Sequence, residues 1–164
     1  MAHTNRLAGM VERINQLPAF ARPRALSLFF GKAVPFTGTA GIRIESLNQS
    51  HCEIRLANRR RVQNHIKGVH AVASLLLAES ATGFLVGLNV PDDKIPVIKT
   101  VHAEYTRRAK GDMRVVAHLT EEQRQRMVTD DRGEVAVALT FYDSEDREPI
   151  EAQMTWAWTP KRRD

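Results

Sequence analysis

Apolar positions near the start of the chain recur at helical spacing. Leu7, Met10, Val11, Ile14 and Leu17 fall on one side of a helix over residues 5–17, which Pro18 ends, and residues 24–30 can add a short second helix. From residue 41 the period drops to two. Residues 41–47 and 51–56 read as paired strands with Asn48, Gln49 and Ser50 as the turn, the second strand alternating Cys52, Ile54 and Leu56 against Glu53 and Arg55. Residues 70–88 then carry Val72, Leu75, Leu76, Leu77, Ala78, Ala81, Phe84 and Leu85, apolar on nearly every side, as expected of a helix buried at the centre of a domain. Four strand-like runs follow. Residues 97–105 and 113–119 are separated by a Gly111-Asp112 turn; a third run places Val135, Val137, Leu139 and Phe141 on one face, and a fourth does the same with Ile150, Ala152, Met154, Trp156 and Trp158. The polar residues 121–126 read as a connection. This order predicts an α+β fold, in which a long antiparallel sheet wraps one central helix beneath an N-terminal helical extension.

A length of 164 residues with 43% hydrophobic content suits one domain able to bury a core without staples. No internal repeat or linker divides it; the expected layout is a helical extension over residues 1–37, the main domain over 38–160 and a basic tail over 161–164. Cys52 is the single cysteine, so no intrachain disulfide can form, and a reducing, cytoplasmic setting is expected. Residues 1–16 lack the apolar run of a signal peptide, and residues 69–89 are interrupted by His70, Glu79 and two glycines, so no membrane partner is expected. The net charge of +5 gathers in Arg59-Arg60-Arg61, Arg107-Arg108-Lys110 and Lys161-Arg162-Arg163, which either solubilise the surface or attract an anion such as a phosphorylated molecule. With 6% aromatic residues and no stacking module, nucleic acid is not the expected partner. His65 and His70 lack the further ligands of a metal site, so no metal is expected.

Glu79 sits in the middle of the apolar helix. A carboxylate there is costly unless it is hydrogen-bonded, paired, neutralised or left facing a wet cleft. It marks either a functional site or a solvent-facing stripe or arginine pair. Seven residues separate it from Val72, so the two share a helix face about 10 Å apart along the axis. The free N–H groups of the first turn, near Ala71 and Val72, can stabilise an oxyanion, but Glu79 of the same helix is too distant to act on the same carbonyl. Antiparallel helices from two subunits would bring donor and carboxylate together.

The segment Asn64-His65-Ile66-Lys67-Gly68-Val69-His70-Ala71-Val72, followed by Leu75, Ala78 and Glu79, resembles the signature of hotdog thioesterases of the phenylacetate-pathway (PaaI-like) type. Asn64 stands fifteen residues and His70 nine residues ahead of Glu79, as in that signature, and Tyr105-Thr106-Arg107-Arg108-Ala109-Lys110-Gly111-Asp112 resembles the family's later aromatic, basic, Gly-Asp run. The resemblance spans roughly residues 38–158. It implies the hotdog fold, an acyl-CoA or related thioester as substrate with CoA as part of it and no other cofactor, and a homodimer or dimer of dimers. It further implies Glu79 as base or nucleophile, Asn64 orienting water or thioester, the Ala71 N–H polarising the carbonyl and His70 setting that turn. Val72, Thr82 and Gly83 would bind substrate, and Arg107, Arg108 and Lys110 would grip CoA phosphates. Two departures stand out: Ala71 and Val72 replace the family's glycines, and Gly83 replaces a Ser or Thr one turn past the carboxylate, with Thr82 beside it as a substitute. They keep open an alternative, a non-catalytic acyl-CoA-binding or sensing protein.

Overall fold

Strict alternation along the later strands turns one face of each inward, and the all-round apolar helix fills the space that face encloses. The computed structural model describes residues 5–162, running α1 (Arg6–Asn15), α2 (Arg22–Ala33), α3 (Pro35–Ala40), β1 (Arg43–Leu47), β2 (His51–Leu56), a 3-10 turn (Arg60–Val62), α4 (Ala71–Asn89), β3 (Lys94–Tyr105), β4 (Met113–His118), α5 (Glu121–Thr129), β5 (Gly133–Tyr142) and β6 (Ile150–Pro160). The strands form one antiparallel sheet in the order β1-β2-β4-β5-β6-β3. Ile54, Leu56, Val115, Phe141 and Met154 of the sheet are buried with Leu77, Ala78, Ala81 and Leu85 of α4, giving the expected hotdog arrangement. Each Leu, Ile or Met side chain buried there contributes roughly 1.5–3 kcal/mol. By length and composition α4 could cross a membrane, but most of it is buried as the core helix of this domain.

The N-terminal helices pack on the far half of α4. Asn5 caps α1, its Oδ1 accepting from the Ala8 N–H at 2.8 Å, while its Nδ2 donates to the Val90 and Gly87 carbonyls at 2.6 and 2.8 Å. One side chain thus caps a helix and clamps it to the end of α4. The Phe30 and Phe84 rings meet at 4.2 Å. The unexpected helix α3 crosses α2 where Gly31 and Gly38 touch through their backbones, and it ends at Ala40, beyond the expected boundary at residue 37. Of the basic tail, Arg163 and Asp164 lie outside the described residues.

The connection expected over residues 121–126 is instead the start of α5. Thr120 and Gln123 form a reciprocal capping box at its start. At its end the buried Lys94 ammonium donates to the carbonyls of Met127, Val128 and Asp130 at 3.3, 3.1 and 2.8 Å. The helix reads as polar because only Met127 is buried.

Two features remain uncovered. β3 is an edge strand that leaves Ile95, Val97, Ile98, Val101 and Tyr105 exposed. Along α4, exposed Val72 and half-buried Leu76, Glu79 and Gly83 fall on one stripe at spacings of four, three and four.

Candidate active site

The loop ahead of α4 is organised by Asn64. Its Oδ1 accepts from the Ile66 and Gly68 N–H groups, both at 3.1 Å, and its own N–H donates to the Gly68 carbonyl at 2.9 Å. Lys67 adopts a left-handed conformation (φ 61°), and Asn58 steadies it by donating from Nδ2 to its carbonyl at 3.1 Å. The loop closes where the His70 N–H meets the Val62 carbonyl at 2.8 Å. Because the Asn64 oxygen is committed to the turn, its Nδ2 is left without an acceptor among the described residues.

His70 is the N-cap of α4. Its Nδ1 accepts from the Val72 N–H at 3.1 Å and its carbonyl from the Ser74 N–H at 3.0 Å. That corrects one expectation: the Val72 N–H is occupied by the preceding ring, and the Val72 side chain, 58% exposed, does not line the cleft beside it. The Ala71 N–H has no acceptor among the described residues and lies at the positive end of a nineteen-residue helix.

The end of β3 supplies the opposite wall. The Tyr105 hydroxyl donates to the Ala71 carbonyl at 2.7 Å, tying the first turn of α4 to the strand, and burial pushes its phenol pKa up. Arg108 donates from Nη2 to the Ile66 carbonyl at 3.2 Å, and Lys110 pairs with Glu145 at 2.9 Å. Asp143 anchors the backbone beneath them. Burial pushes its carboxyl up, but the N–H groups of Glu145, Lys110 and Arg147 and the Arg147 guanidinium outweigh that and hold it at about 2. The Arg107 guanidinium is exposed and has no partner among the described residues.

These parts enclose a cleft of about 380 Å³ lined by Asn64, Ile66, Ala71, Ser74, Tyr105, Arg107, Arg108 and Ile150. A basin of about 310 Å³ adjoins it through Gly68, Arg108 and Ala109 and is walled by Asn58, Lys67 and Lys110. The first has apolar walls around unengaged N–H donors; the second is cationic. Together they suit a molecule with an apolar or carbonyl-bearing end and an anionic end.

Glu79 lies outside that cleft. Its carboxylate is half-buried, makes no hydrogen bond or ion pair among the described residues, and burial raises its pKa. Thr82 and Gly83, expected to bind substrate, are also away from this cleft. Thr82 is fully buried: its hydroxyl donates toward the Ala78 and Glu79 carbonyls and accepts from the Trp156 indole N–H at 2.9 Å. At Gly83 a Cβ would approach the Trp156 ring to 2.8 Å, so the indole fills the space a Ser or Thr would need. The structure therefore brings Asn64, Ala71, Arg107 and Arg108 together, places Lys110 next door, and leaves Val72, Glu79, Thr82 and Gly83 apart. Ser74, Tyr105 and Ile150 join the cleft without having been singled out individually. Only Tyr105, as the aromatic residue opening the basic run, carried a signal in the sequence.

Residues 22–158 match the family described as domain of unknown function DUF4442. No curated protein matches the chain. Among solved structures, the chain is similar to a Pseudomonas aeruginosa protein of unknown function described as a probable thioesterase, at 23% identity over 88% of this chain and 97% of that one, with TM-score 0.76. A mutant thioesterase from Pseudomonas aeruginosa aligns at 19% identity over 82% and 92%, with TM-score 0.67. A Haemophilus influenzae thioesterase aligns at 16% over 76% and 82%, with TM-score 0.61. At these identities the likeness is one of fold.

Proposed function

We propose, from the premise that this chain belongs to the DUF4442 family, that it hydrolyses an acyl-CoA or related thioester at a site shared between two copies of the chain. The observation that carries this reading is Glu79, a half-buried carboxylate without a partner on the uncovered apolar stripe of α4, one helix face from the unclaimed Ala71 N–H. The thioesterase names of the structural neighbours point the same way.

In this mechanism the acyl carbonyl lies in the cleft, its oxygen facing the Ala71 N–H. The Asn64 amide holds the attacking water or the thioester. The partner copy's α4, running antiparallel, contributes its Glu79. That carboxylate takes a proton from water as the water oxygen bonds the carbonyl carbon, and its raised pKa makes it a stronger base than an exposed glutamate. The oxyanion is held by the Ala71 N–H at the helix start. When the C–S bond breaks, the sulfur leaves with the proton Glu79 had accepted, giving a free acid and a thiol. Arg108 and Lys110 at the cationic end, with Arg107 from the adjoining cleft, would hold the phosphates, since a planar guanidinium can bond phosphate at two points.

The test is thiol release from acyl-CoAs of differing length by the wild type and Glu79→Gln, with binding measured on the same samples. Turnover by the wild type and its loss in the variant at near-unchanged affinity are expected. Tight binding with no turnover by either protein would favour the binding or sensing alternative, to which Ala71 and Val72 in place of glycines would then belong.

A further inference from the structure

We propose that the N-terminal helices and the Arg59–Arg61 segment form a face that seats the protein on an anionic lipid surface. Between Glu12 and Glu45 the sequence holds Arg13, Arg22, Arg24, Lys32 and Arg43 and no acidic residue. On α2, Leu26 and Phe30 are buried against the domain, while Arg24, Leu28 and Lys32, four apart, share the opposite, solvent-facing stripe. Apolar side chains lie among these cations along the chain: Leu28 is 67% exposed, and Phe20, just ahead of α2, and Phe36, at the start of α3, are 85% and 62% exposed.

The basic cluster at residues 59–61, which the thioester site does not use, reaches the same face. The Arg61 guanidinium lies against Gly41, whose left-handed backbone (φ 77°) and lack of a Cβ leave room for it. Beside Gly41 a cleft of about 370 Å³ is lined by Arg24, Leu28, Ile42 and Arg43. Arg43 is paired with Glu45 at 3.0 Å, whereas Arg24 and Arg61 make no ion pair among the described residues. Arg24 and Arg43 thus line a partly apolar opening, with Arg61 beside it at Gly41.

The charge decides among occupants. A second copy docking by the same patch would set a surface of Arg24, Lys32, Arg43 and Arg61, with Glu45 as the one carboxylate paired there, against itself, and like charges would oppose the contact. A nucleic acid would answer the cations and leave Leu28 and Phe36 in water. A membrane surface answers both, with lipid phosphates at the guanidiniums and the acyl boundary at the apolar tips. Contact of this kind needs no spanning segment, and it does not depend on the thioester site.

Flotation of the full chain with vesicles tests it, comparing phosphatidylcholine alone with phosphatidylcholine containing about a third phosphatidylglycerol. Binding to the anionic vesicles only is expected, weakening with salt. Arg24→Glu with Arg61→Glu should lower the affinity at least about tenfold, as should Leu28→Ser with Phe36→Ser at unchanged charge. Both pairs are at exposed positions outside the thioester cleft, so an unchanged thermal unfolding midpoint and circular dichroism spectrum serve as the control for folding. No binding to anionic vesicles would overturn the proposal. So would wild-type binding by the Leu28 and Phe36 variant, which would show that charge alone holds the chain to the vesicles and that the apolar tips take no part.

Discussion

Glu79 shares its stripe with Val72, Leu76 and Gly83, so its carboxylate ionises against burial with no cation among the described residues paired to it. The consequence for stability has a definite sign. With the folded pKa raised above the ordinary value of 4.5, the folded chain binds more protons than the unfolded one between the two values. Stability therefore falls as pH rises through that window, and the penalty is complete above it. Glu79→Gln should be more stable than the wild type at neutral pH and equal to it below the ordinary carboxylate range, which thermal unfolding across pH will show; an arginine-paired carboxylate would give the opposite order. Ala71 is open to an equally specific change. Ala71→Pro deletes only the N–H assigned to the oxyanion, at the first helical position, where proline is tolerated, and behind His70, whose extended backbone (φ −62°, ψ 141°) suits the residue before proline. Its kcat is expected to drop by about 10²–10³ while its melting temperature stays near the wild type. The placing of Asn64 in the turn ahead of α4 and of His70 and Ala71 at its start was legible from spacing and resemblance. Thr82 and Gly83 were not, because the ring that claims their space, Trp156, lies more than seventy positions along the chain.

Among elements, the strands whose apolar residues alternate strictly were readable nearly to their ends, since one buried face imposes period two on β2, β5 and β6. The helix α4 was readable because burial on most sides leaves little polarity in it. Helix α5 was missed for the converse reason: it buries Met127 alone, and its clearest mark was the Thr120 and Gln123 capping pair rather than any hydrophobic period. The contact between α4 and β6 can be probed at Gly83, where a methyl group would push into the Trp156 ring. Gly83→Ala is expected to destabilise by roughly 1–3 kcal/mol in denaturant unfolding, despite alanine's better helix propensity. The segment joining β3 to β4 bears a different prediction. In the proposed complex its arginines hold the phosphates and not the reacting carbonyl, so Arg107→Ala with Arg108→Ala should raise KM for a CoA ester and leave kcat nearly unchanged. A lowered kcat at constant KM would move these residues into the chemistry.

For the whole molecule, the two halves of the proposed site do not meet within one chain: a cleft with an unclaimed N–H donor lies at one end of α4, and a carboxylate lies partway along it. The exposed apolar residues of β3, together with Val72 at the start of α4, offer a surface on which a second copy can bring them together. Such a closed two-fold arrangement makes two equivalent sites, each built from both chains. The most direct test mixes two variants that are each inactive, Glu79→Gln and Ala71→Pro, after dissociation and reassociation in equal amounts. Random pairing makes half of the dimers mixed, and each mixed dimer regains one of its two sites. Thiol release should therefore return to about one quarter of the wild-type rate. A mixture no more active than either variant alone, with mixed dimers demonstrated by mass, would contradict a site shared between subunits.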